Sequence, residues 1–285
     1  MQGTCKLCQE EANLELSHIL PKFIYKWINK TSATGKMRGL GNPNKTEQDG
    51  FKSYLLCGKC EDKFSKYETW FANNFFHPSI KEVKVSYSYN ENLFKFAASI
   101  FWRCIITNMD RDVYDETKFK SALLSCEEEL RNFLNTDQYP VNFDSIYIGI
   151  TSYNLNPQKE QARANFYYTR STDSQIVFSD HKMYYYCVIP HFLFVGKIAG
   201  LDDSDFVNSK INPIGGNFRS VDMQIYDQGV NKLSLSQIAR IRNVNLSPNQ
   251  QMLLEKRILE NMDKYIDSKS YEAAFLEYIL SNPSE

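Results

Sequence analysis

The chain has 285 residues, of which 42% are hydrophobic and 14% aromatic, enough apolar side chains for one large domain or two ordinary ones. Its 33 basic and 34 acidic residues give a formal net charge of −1, which excludes a disordered acidic protein and a histone-like polycation. No run of about 18 apolar residues and no apolar signal core at the start are present, so we expect a cytoplasmic protein that does not span a membrane.

Two closely spaced cysteine pairs are the strongest signal in the sequence. Cys5 and Cys8 form the first pair, and Cys57 and Cys60 form the second. In a cytoplasmic chain such pairs are typical of zinc ligands rather than disulfides, because two intervening residues let both thiolates reach one ion at about 2.3 Å. A redox-active pair is the alternative, but neither pair lies in a thioredoxin-like strand–helix–strand pattern. We therefore predict a structural Zn²⁺ site formed by all four cysteines.

The segment between the pairs combines a short strand with a basic loop. Leu14, Leu16 and His18 alternate with polar residues, which predicts a strand that ends at Pro21 with His18 near its end. From residue 16 to residue 60 there are eight basic and two acidic residues, a local net charge of +6. Such a confined basic segment suits a site that contacts phosphates, although a solvated lysine-rich loop explains it equally well.

A helix is predicted directly after the second cysteine pair. Aromatic residues at positions 64, 67, 71 and 75 recur near helical spacing, so the helix begins at Cys60 or Glu61. We expect it to end before Pro78, with His77 capping its last turn rather than binding a metal. Aromatic side chains at this spacing favour core packing over stacking on nucleobases.

The rest of the chain predicts an α+β domain. Residues 92–108 and 116–135 predict two helices, and helices also return at the C-terminal end. Between them, strand patterns predict an antiparallel sheet of four or five strands. These patterns cover residues 144–153, 165–172, 174–179 and 182–198. No glycine-rich phosphate loop is present, so the sequence carries no ATPase signature.

The order of cysteine pair, strand with histidine, basic loop, second cysteine pair and helix resembles the zinc-bearing HNH endonucleases of the His-Me finger group. The resemblance lies in Cys5, Cys8, the motif His18-Ile-Leu-Pro21, and the motif Leu55-Leu-Cys57-Gly-Lys-Cys60. It covers about residues 5–75, roughly a quarter of the chain. The double cysteine pair around a strand histidine is fairly specific, whereas either half alone would be weak.

The resemblance implies a fold and a function. Residues 1–78 would form a zinc-stapled ββα module of the treble-clef type, and residues 79–285 an α+β accessory domain with an antiparallel sheet and C-terminal helices. The chain would be a metal-dependent endonuclease that hydrolyses phosphodiesters of nucleic acid, with DNA favoured over RNA. The accessory domain would select the target or bind a protein partner. Stand-alone chains of this kind resemble effectors of bacterial defence against phage, or mobile-element nucleases.

The resemblance also implies roles for individual residues. His18 is the expected general base that deprotonates a water, since an imidazole with a pKa of about 6.5 accepts a proton near neutral pH. Glu61, directly after the last cysteine, takes the position of a ligand for a catalytic Mg²⁺ or Mn²⁺ ion. Glu68, two helical turns further, is either a supporting acid or a surface residue.

Three features depart from the family pattern. Ser17 stands where the family has an aspartate as first metal ligand, so the site needs another acid, for which Glu15 and Asp49 are nearest. The family's middle asparagine is not in its usual place, and Asn42 and Asn44 are candidates. The loop between the histidine and the second cysteine pair is also long. A second hypothesis therefore stays open, a catalytically inactive, zinc-stabilised regulatory protein that binds nucleic acid or protein. Glu61 and another carboxylate within about 5 Å of His18, facing the basic loop, would favour the nuclease, and apolar packing around His18 would favour the binding protein.

Overall fold

The protein is an α+β protein with antiparallel sheets and C-terminal helices, as predicted. The computed structural model of the chain describes residues 1–82, 84–109, 111–139, 145–151 and 165–281. None of the helices in these ranges is long and apolar enough to cross a bilayer.

The N-terminal quarter alternates short strands with helices. In chain order its elements are β1 (Gln2–Thr4), β2 (Glu11–His18), α1 (Lys22–Lys30), β3 (Met37–Gly39), β4 (Asn42–Glu47), β5 (Lys52–Cys57) and α2 (Gly58–Phe71). Strands β1, β2 and β5 form one antiparallel sheet in that order, and β3 pairs with β4 in a separate hairpin. The predicted strand is thus confirmed as part of β2, and His18 ends it opposite Lys52.

The helix after the second cysteine pair continues beyond the predicted end. A π-helical turn at Ala72–Phe76 follows α2, and α3 (His77–Lys81) follows that turn. The expectation that the helix ends before Pro78 with His77 as its C-terminal cap is therefore wrong. Pro78 lies in the first turn of α3, where its missing N–H group is tolerated.

The rest of the chain forms one long helix, one four-stranded sheet and the shorter elements around them. They are β6 (Ser86–Asn90), α4 (Glu91–Asn108), α5 (Asp112–Asp115), α6 (Lys120–Thr136), β7 (Ile146–Ile150), α7 (Asn165–Arg170), β8 (Asp173–Phe178), β9 (Met183–Ile189), β10 (Phe192–Ala199), β11 (Phe206–Val207), β12 (Gly215–Arg219), β13 (Gln224–Ile225), α8 (Gln228–Arg242), α9 (Pro248–Glu260), α10 (Met262–Ile266) and α11 (Lys269–Ser281). Strands β7, β10, β9 and β8 form a four-stranded antiparallel sheet in that order, which confirms the predicted sheet.

One predicted strand is a helix. The pattern over residues 165–172 favoured a strand, but residues 165–170 form α7. Tyr167 and Arg170 are both buried, and their separation of three residues is helical spacing. A six-residue run rich in aromatic side chains does not distinguish the two states by periodicity. Residue 144 and residues 152–153 of the neighbouring predicted strand lie outside the described residues.

The hydrophobic core is continuous across the proposed boundary at residue 78. Phe71 of α2 stacks on Phe96 of α4 with ring centroids 3.9 Å apart, and it contacts Phe192 of β10 edge-on at 5.2 Å. A second, smaller apolar cluster occupies the opposite face of the four-stranded sheet. Because both faces are covered, β9 is buried along its whole length. The division into residues 1–78 and 79–285 stays a prediction.

Candidate functional site

The four paired cysteines come together at one point. Their Sγ atoms all lie within 4.8 Å of one another, and Cys8 Sγ is 3.9 Å from Cys57 Sγ. Tetrahedral coordination with zinc–sulfur bonds of about 2.3 Å places sulfur atoms about 3.8 Å apart. This cysteine cluster (Cys5, Cys8, Cys57 and Cys60) could therefore hold a zinc ion, and the predicted convergence of the four residues is confirmed.

Local backbone geometry makes the cysteine cluster suitable for a cation. The first pair lies in the turn between β1 and β2, where Gln9 adopts a left-handed conformation with φ 63° and donates to Cys5 O at 2.9 Å. At the second pair, Cys57 N–H donates to Cys5 Sγ at 3.3 Å. Burial would raise the pKa of Cys5, but hydrogen bonds from Cys57, Cys8 and Leu7 N–H groups lower it overall. A lower pKa favours the thiolate of Cys5, the form that binds metal, whereas burial raises the pKa values of Cys8 and Cys60.

The imidazole of His18 is paired with a carboxylate. His18 Nε2 lies 2.7 Å from Asp49 Oδ1, and the side chains are 14% and 34% exposed. Lys52 Nζ contacts the second oxygen of Asp49 at 2.5 Å, and Gly50 N–H donates to Oδ1 at 3.0 Å. Partial burial would raise the pKa of Asp49, but the hydrogen bonds from Lys52, His18 and Gly50 outweigh it and lower the pKa to about 2. Asp49 is therefore ionised at neutral pH.

The ionised carboxylate determines which histidine nitrogen is available for chemistry. A carboxylate accepts hydrogen bonds and has none to donate, so we assign the proton of neutral His18 to Nε2. The lone pair then lies on Nδ1. The ring also stacks on Tyr25, with centroids 6.2 Å apart and planes at 28°. A Cβ atom at Gly50 would lie 2.0 Å from the Tyr25 ring, so the absence of a side chain at Gly50 lets this ring approach.

A second carboxylate meets the residue next to His18. Ser17 is buried, and its hydroxyl donates a hydrogen bond to Glu61 Oε1 in the first turn of α2. Adjacent residues at the end of β2 thus pair with two different carboxylates, Asp49 and Glu61. Among the described residues, the cysteine cluster is the only group of three or more candidate metal ligands close together. Metal binding by Glu61 therefore stays a prediction.

A buried arginine supports the backbone of His18 from α4. Arg103 is 1% exposed and donates from Nη1 to His18 O at 2.8 Å. It also donates from Nη2 to Glu68 Oε1 at 2.8 Å and from Nε to Ser99 O at 3.2 Å. Glu68 is therefore the ion-pair partner of a buried arginine, which favours a supporting acid over a surface residue. Arg103 thus holds the backbone carbonyl of His18, and Asp49 holds its ring.

Sequence reasoning missed Arg103 and the partner of Asp49. Asp49 was named with Glu15 as one of the two nearest acids that could replace the family's aspartate, and it contacts the imidazole of His18. Asn44 accepts a hydrogen bond from Ser247 N–H at 2.7 Å, so its side chain is engaged with the start of α9. An arginine inside the apolar run of α4 was the available signal for Arg103, because a charged group on a buried helix face needs a partner.

The basic residues lie mainly on α1 and the strands that follow. Lys22, Lys26 and Lys30 are exposed at intervals of four residues, so they form a stripe along α1. Lys45 and Lys59 are also exposed, whereas Lys52 is engaged with Asp49. The stripe begins four residues after His18. Positive charge and the histidine–carboxylate pair therefore lie close together along the chain.

Comparison with known proteins identifies no relative. No family model, no curated protein and no solved structure matches the chain. The function therefore has to be argued from the geometry of the cysteine cluster and of the His18 site.

Proposed function

We propose that the protein is a metal-dependent endonuclease of the HNH type, with His18 as general base. The observation that carries the proposal is the contact between His18 and the ionised Asp49 at the end of the strand that begins beside the cysteine cluster. The arrangement expected of a nuclease was Glu61 and another carboxylate close to the histidine. Asp49 is such a carboxylate, and Glu61 contacts Ser17, the neighbour of His18. In the alternative hypothesis the ring would be surrounded by apolar side chains.

Asp49 prepares His18 to accept a proton. The carboxylate holds Nε2–H and leaves Nδ1 as the acceptor for a proton from water. When His18 becomes a cation, the negative charge of Asp49 stabilises it. The family's asparagine performs this orienting task, and here Asp49 replaces it. The basic stripe on α1 would bind the phosphates of a nucleic acid.

Glu61 is the candidate ligand for a catalytic cation, because Ser17 donates a hydrogen bond to one oxygen of Glu61 and leaves the other oxygen available. A carboxylate offers the oxygen atoms that Mg²⁺ and Mn²⁺ prefer, and Mg²⁺ is often held by one or two carboxylates together with water and substrate phosphates. Glu61 therefore fits the ion that the resemblance implies. Such an ion would neutralise charge on the scissile phosphate and on the leaving oxygen. Structural zinc would be held by the cysteine cluster.

A second function is favoured by one observation. Among the described residues, Glu61 and His18 do not belong to any preassembled group of three ligands. A zinc-stabilised protein that binds nucleic acid or a protein partner without cleaving would have this property. The proposed target selection by residues 79–285 and the proposed role in phage defence are compatible with either function.

A nicking assay distinguishes the two functions. Supercoiled plasmid is incubated with wild-type protein, His18→Ala and His181→Ala in Mg²⁺ or Mn²⁺. His181 is exposed, so it serves as the matched control. Because general base catalysis contributes about 10²- to 10⁴-fold, His18→Ala is expected to lose at least 100-fold in rate while the control keeps the wild-type rate. Equal nicking by wild type and His18→Ala would remove His18 as the base. Binding without cleavage in either metal would favour the second function.

A further inference from the structure

The helices at the C-terminal end leave large apolar side chains exposed. Eight large hydrophobic side chains between residues 252 and 279 are 40–69% exposed. Helices α9 and α10, of 13 and 5 residues, contain no buried residue. Helices this short are only marginally stable alone in water, so exposed apolar side chains on them favour packing against a further surface.

Helix α11 has an inner face that is held by the rest of the protein. Ala273 is 1% exposed, and Glu277 Oε1 accepts a hydrogen bond from Phe166 N–H of α7 at 3.0 Å. At the start of the helix, Lys269 N–H donates to Thr31 O, directly after α1, at 3.0 Å. The helix is therefore fixed in place, and its other face is a defined surface.

The outer face of α11 carries a row of aromatic side chains. Tyr271, Phe275 and Tyr278 are separated by four and three residues, so they lie on one side of the helix, opposite Ala273. The rings of Tyr271 and Phe275 stack with centroids 5.6 Å apart, and Tyr271 meets Tyr265 of α10 edge-on at 5.1 Å. The apolar surface thus continues from α10 along α11. We define this α10–α11 patch by Met262, Tyr265, Tyr271, Phe275, Tyr278 and Ile279.

We propose that the α10–α11 patch binds a second copy of the chain about a two-fold axis beside Phe275. A two-fold interface requires a surface that is complementary to itself. Tyr271 and Ile279 each lie four residues from Phe275, so antiparallel packing of two α11 helices pairs Tyr271 of one copy with Ile279 of the other. This inference does not depend on the proposed nuclease function.

The apolar area of the patch fits a dimer. Four of its side chains are 40–55% exposed, and with parts of Tyr265 and Tyr271 they offer roughly 500 Å² of apolar surface. A standard interface buries about 800 Å² per partner, of which about 65% is apolar in homodimers. The patch therefore supplies the apolar area that one side of a stable dimer needs.

Charge favours a second copy over a nucleic acid or a lipid surface. Residues 262–281 contain two basic and four acidic residues, a net charge of −2. Polyanions and anionic lipids are attracted by basic surfaces, so this segment does not suit them. Both acids of α11 already have partners within one copy, since Glu272 contacts Lys269 at 2.5 Å and Glu277 contacts Phe166. These partners reduce the repulsion between two copies.

Sedimentation velocity over a range of protein concentrations tests the dimer. We expect wild type to form a reversible dimer. Phe275→Asp should raise its Kd at least about 30-fold, the effect of losing one central side chain from an interface. Tyr226→Asp replaces a 57% exposed tyrosine elsewhere and is the matched control, expected to dimerise like wild type. Far-UV circular dichroism and thermal unfolding confirm that the variants are folded.

Cross-linking with a short bismaleimide locates the two-fold axis. In Phe275→Cys the two new thiols lie close together across the axis, so we expect a covalent dimer. Wild type and Tyr226→Cys are the controls and should give little cross-linked product, because their shared cysteines are the same.

Three results would overturn the interface. They are a folded wild type that stays monomeric at every concentration, a dimer that Phe275→Asp leaves intact, and equal cross-linking of Phe275→Cys and Tyr226→Cys. If Phe275→Asp does not fold, Ile279→Asp changes a 44% exposed side chain of the same patch and must raise the Kd instead.

Discussion

Replacement of Asp49 by Asn tests whether its carboxylate prepares His18 for base catalysis. The two side chains have nearly the same shape, so the fold and the ring position should persist. The amide of Asn, however, can donate a hydrogen bond to Nε2 and thereby favours the tautomer with its proton on Nδ1. Nδ1, the proposed proton acceptor, would then carry no lone pair. We therefore expect Asp49→Asn to lower kcat with little change in KM.

The size of the expected loss in kcat follows from the contact between His18 and Asp49. The 2.7 Å hydrogen bond to the ionised Asp49 becomes an ion pair when His18 takes a proton. Hydrogen bonds to charged groups contribute about 1.5–3 kcal/mol, which corresponds to about 10- to 150-fold in kcat. The unfavourable tautomer adds to this loss, up to the total contribution of a general base, about 10⁴-fold.

Plasmid nicking under saturating Mg²⁺ measures the effect, and Glu47→Gln, which neutralises an exposed acid of the same segment, is the control. A wild-type kcat in Asp49→Asn would refute the assigned tautomer. Loss of kcat that is matched by loss of the folded state would refute it too, because the argument requires an intact fold.

The carboxylate of Asp49 makes the free energy of unfolding depend on pH in the acid range. Partial burial opposes ionisation, but hydrogen bonds from Lys52, His18 and Gly50 lower the Asp49 pKa from 3.8 to about 2. A pKa lowered by folding stabilises the fold above about pH 4, and this contribution is lost as the pH falls towards 2. The shift corresponds to at most about 2.5 kcal/mol, and solvent screening of a carboxylate that is 34% exposed reduces this to about 1 kcal/mol. In urea unfolding, the difference between wild type and Asp49→Asn should shrink from pH 5 to pH 2.5.

Two further predictions concern the supports of the site. Arg103→Met leaves Glu68 and the His18 carbonyl without their donor, so we expect a loss of about 3 kcal/mol in unfolding free energy and a reduced kcat. Arg170→Met removes another buried arginine and should destabilise the fold without lowering kcat. Thermal unfolding and nicking assays compare the two variants. Equal kcat values for Arg103→Met and Arg170→Met would contradict the prediction. Metal analysis should find one zinc ion per chain, lost in Cys60→Ser and kept in Cys187→Ser. Chelation should increase hydrogen exchange first within the N-terminal quarter, since zinc binding there supplies folding free energy.

The sequence predicted those features that depend on short-range patterns. The convergence of the cysteine cluster follows from two pairs with the spacing of metal ligands, and α4 follows from a long apolar run. The π-helical turn before Pro78 and the helical state of residues 165–170 were not predicted. In both places local propensity is ambiguous and packing of aromatic side chains decides the conformation.

The contacts around His18 depend on residues that are distant in sequence. Asp49 lies 31 positions away and Arg103 lies 85 positions away. The loop that carries Asp49 has no periodicity from which its path can be predicted. Arg103 lies in a helix whose pattern predicts burial, but the pattern does not say which carbonyl or carboxylate the guanidinium meets. Long-range pairing of polar groups therefore required the three-dimensional structure.

The serine at position 17 is compatible with the proposed chemistry for an electrostatic reason. Position 17 is buried and faces Glu61, so an aspartate there would place two carboxylates side by side and raise the pKa of one of them. Ser17 instead donates a hydrogen bond to one oxygen of Glu61 and leaves the other oxygen available. The carboxylate that orients the imidazole is Asp49, on a different segment. In the proposed mechanism Glu61 would hold the cation and Asp49 would prepare the base, so a serine at position 17 does not by itself exclude catalysis.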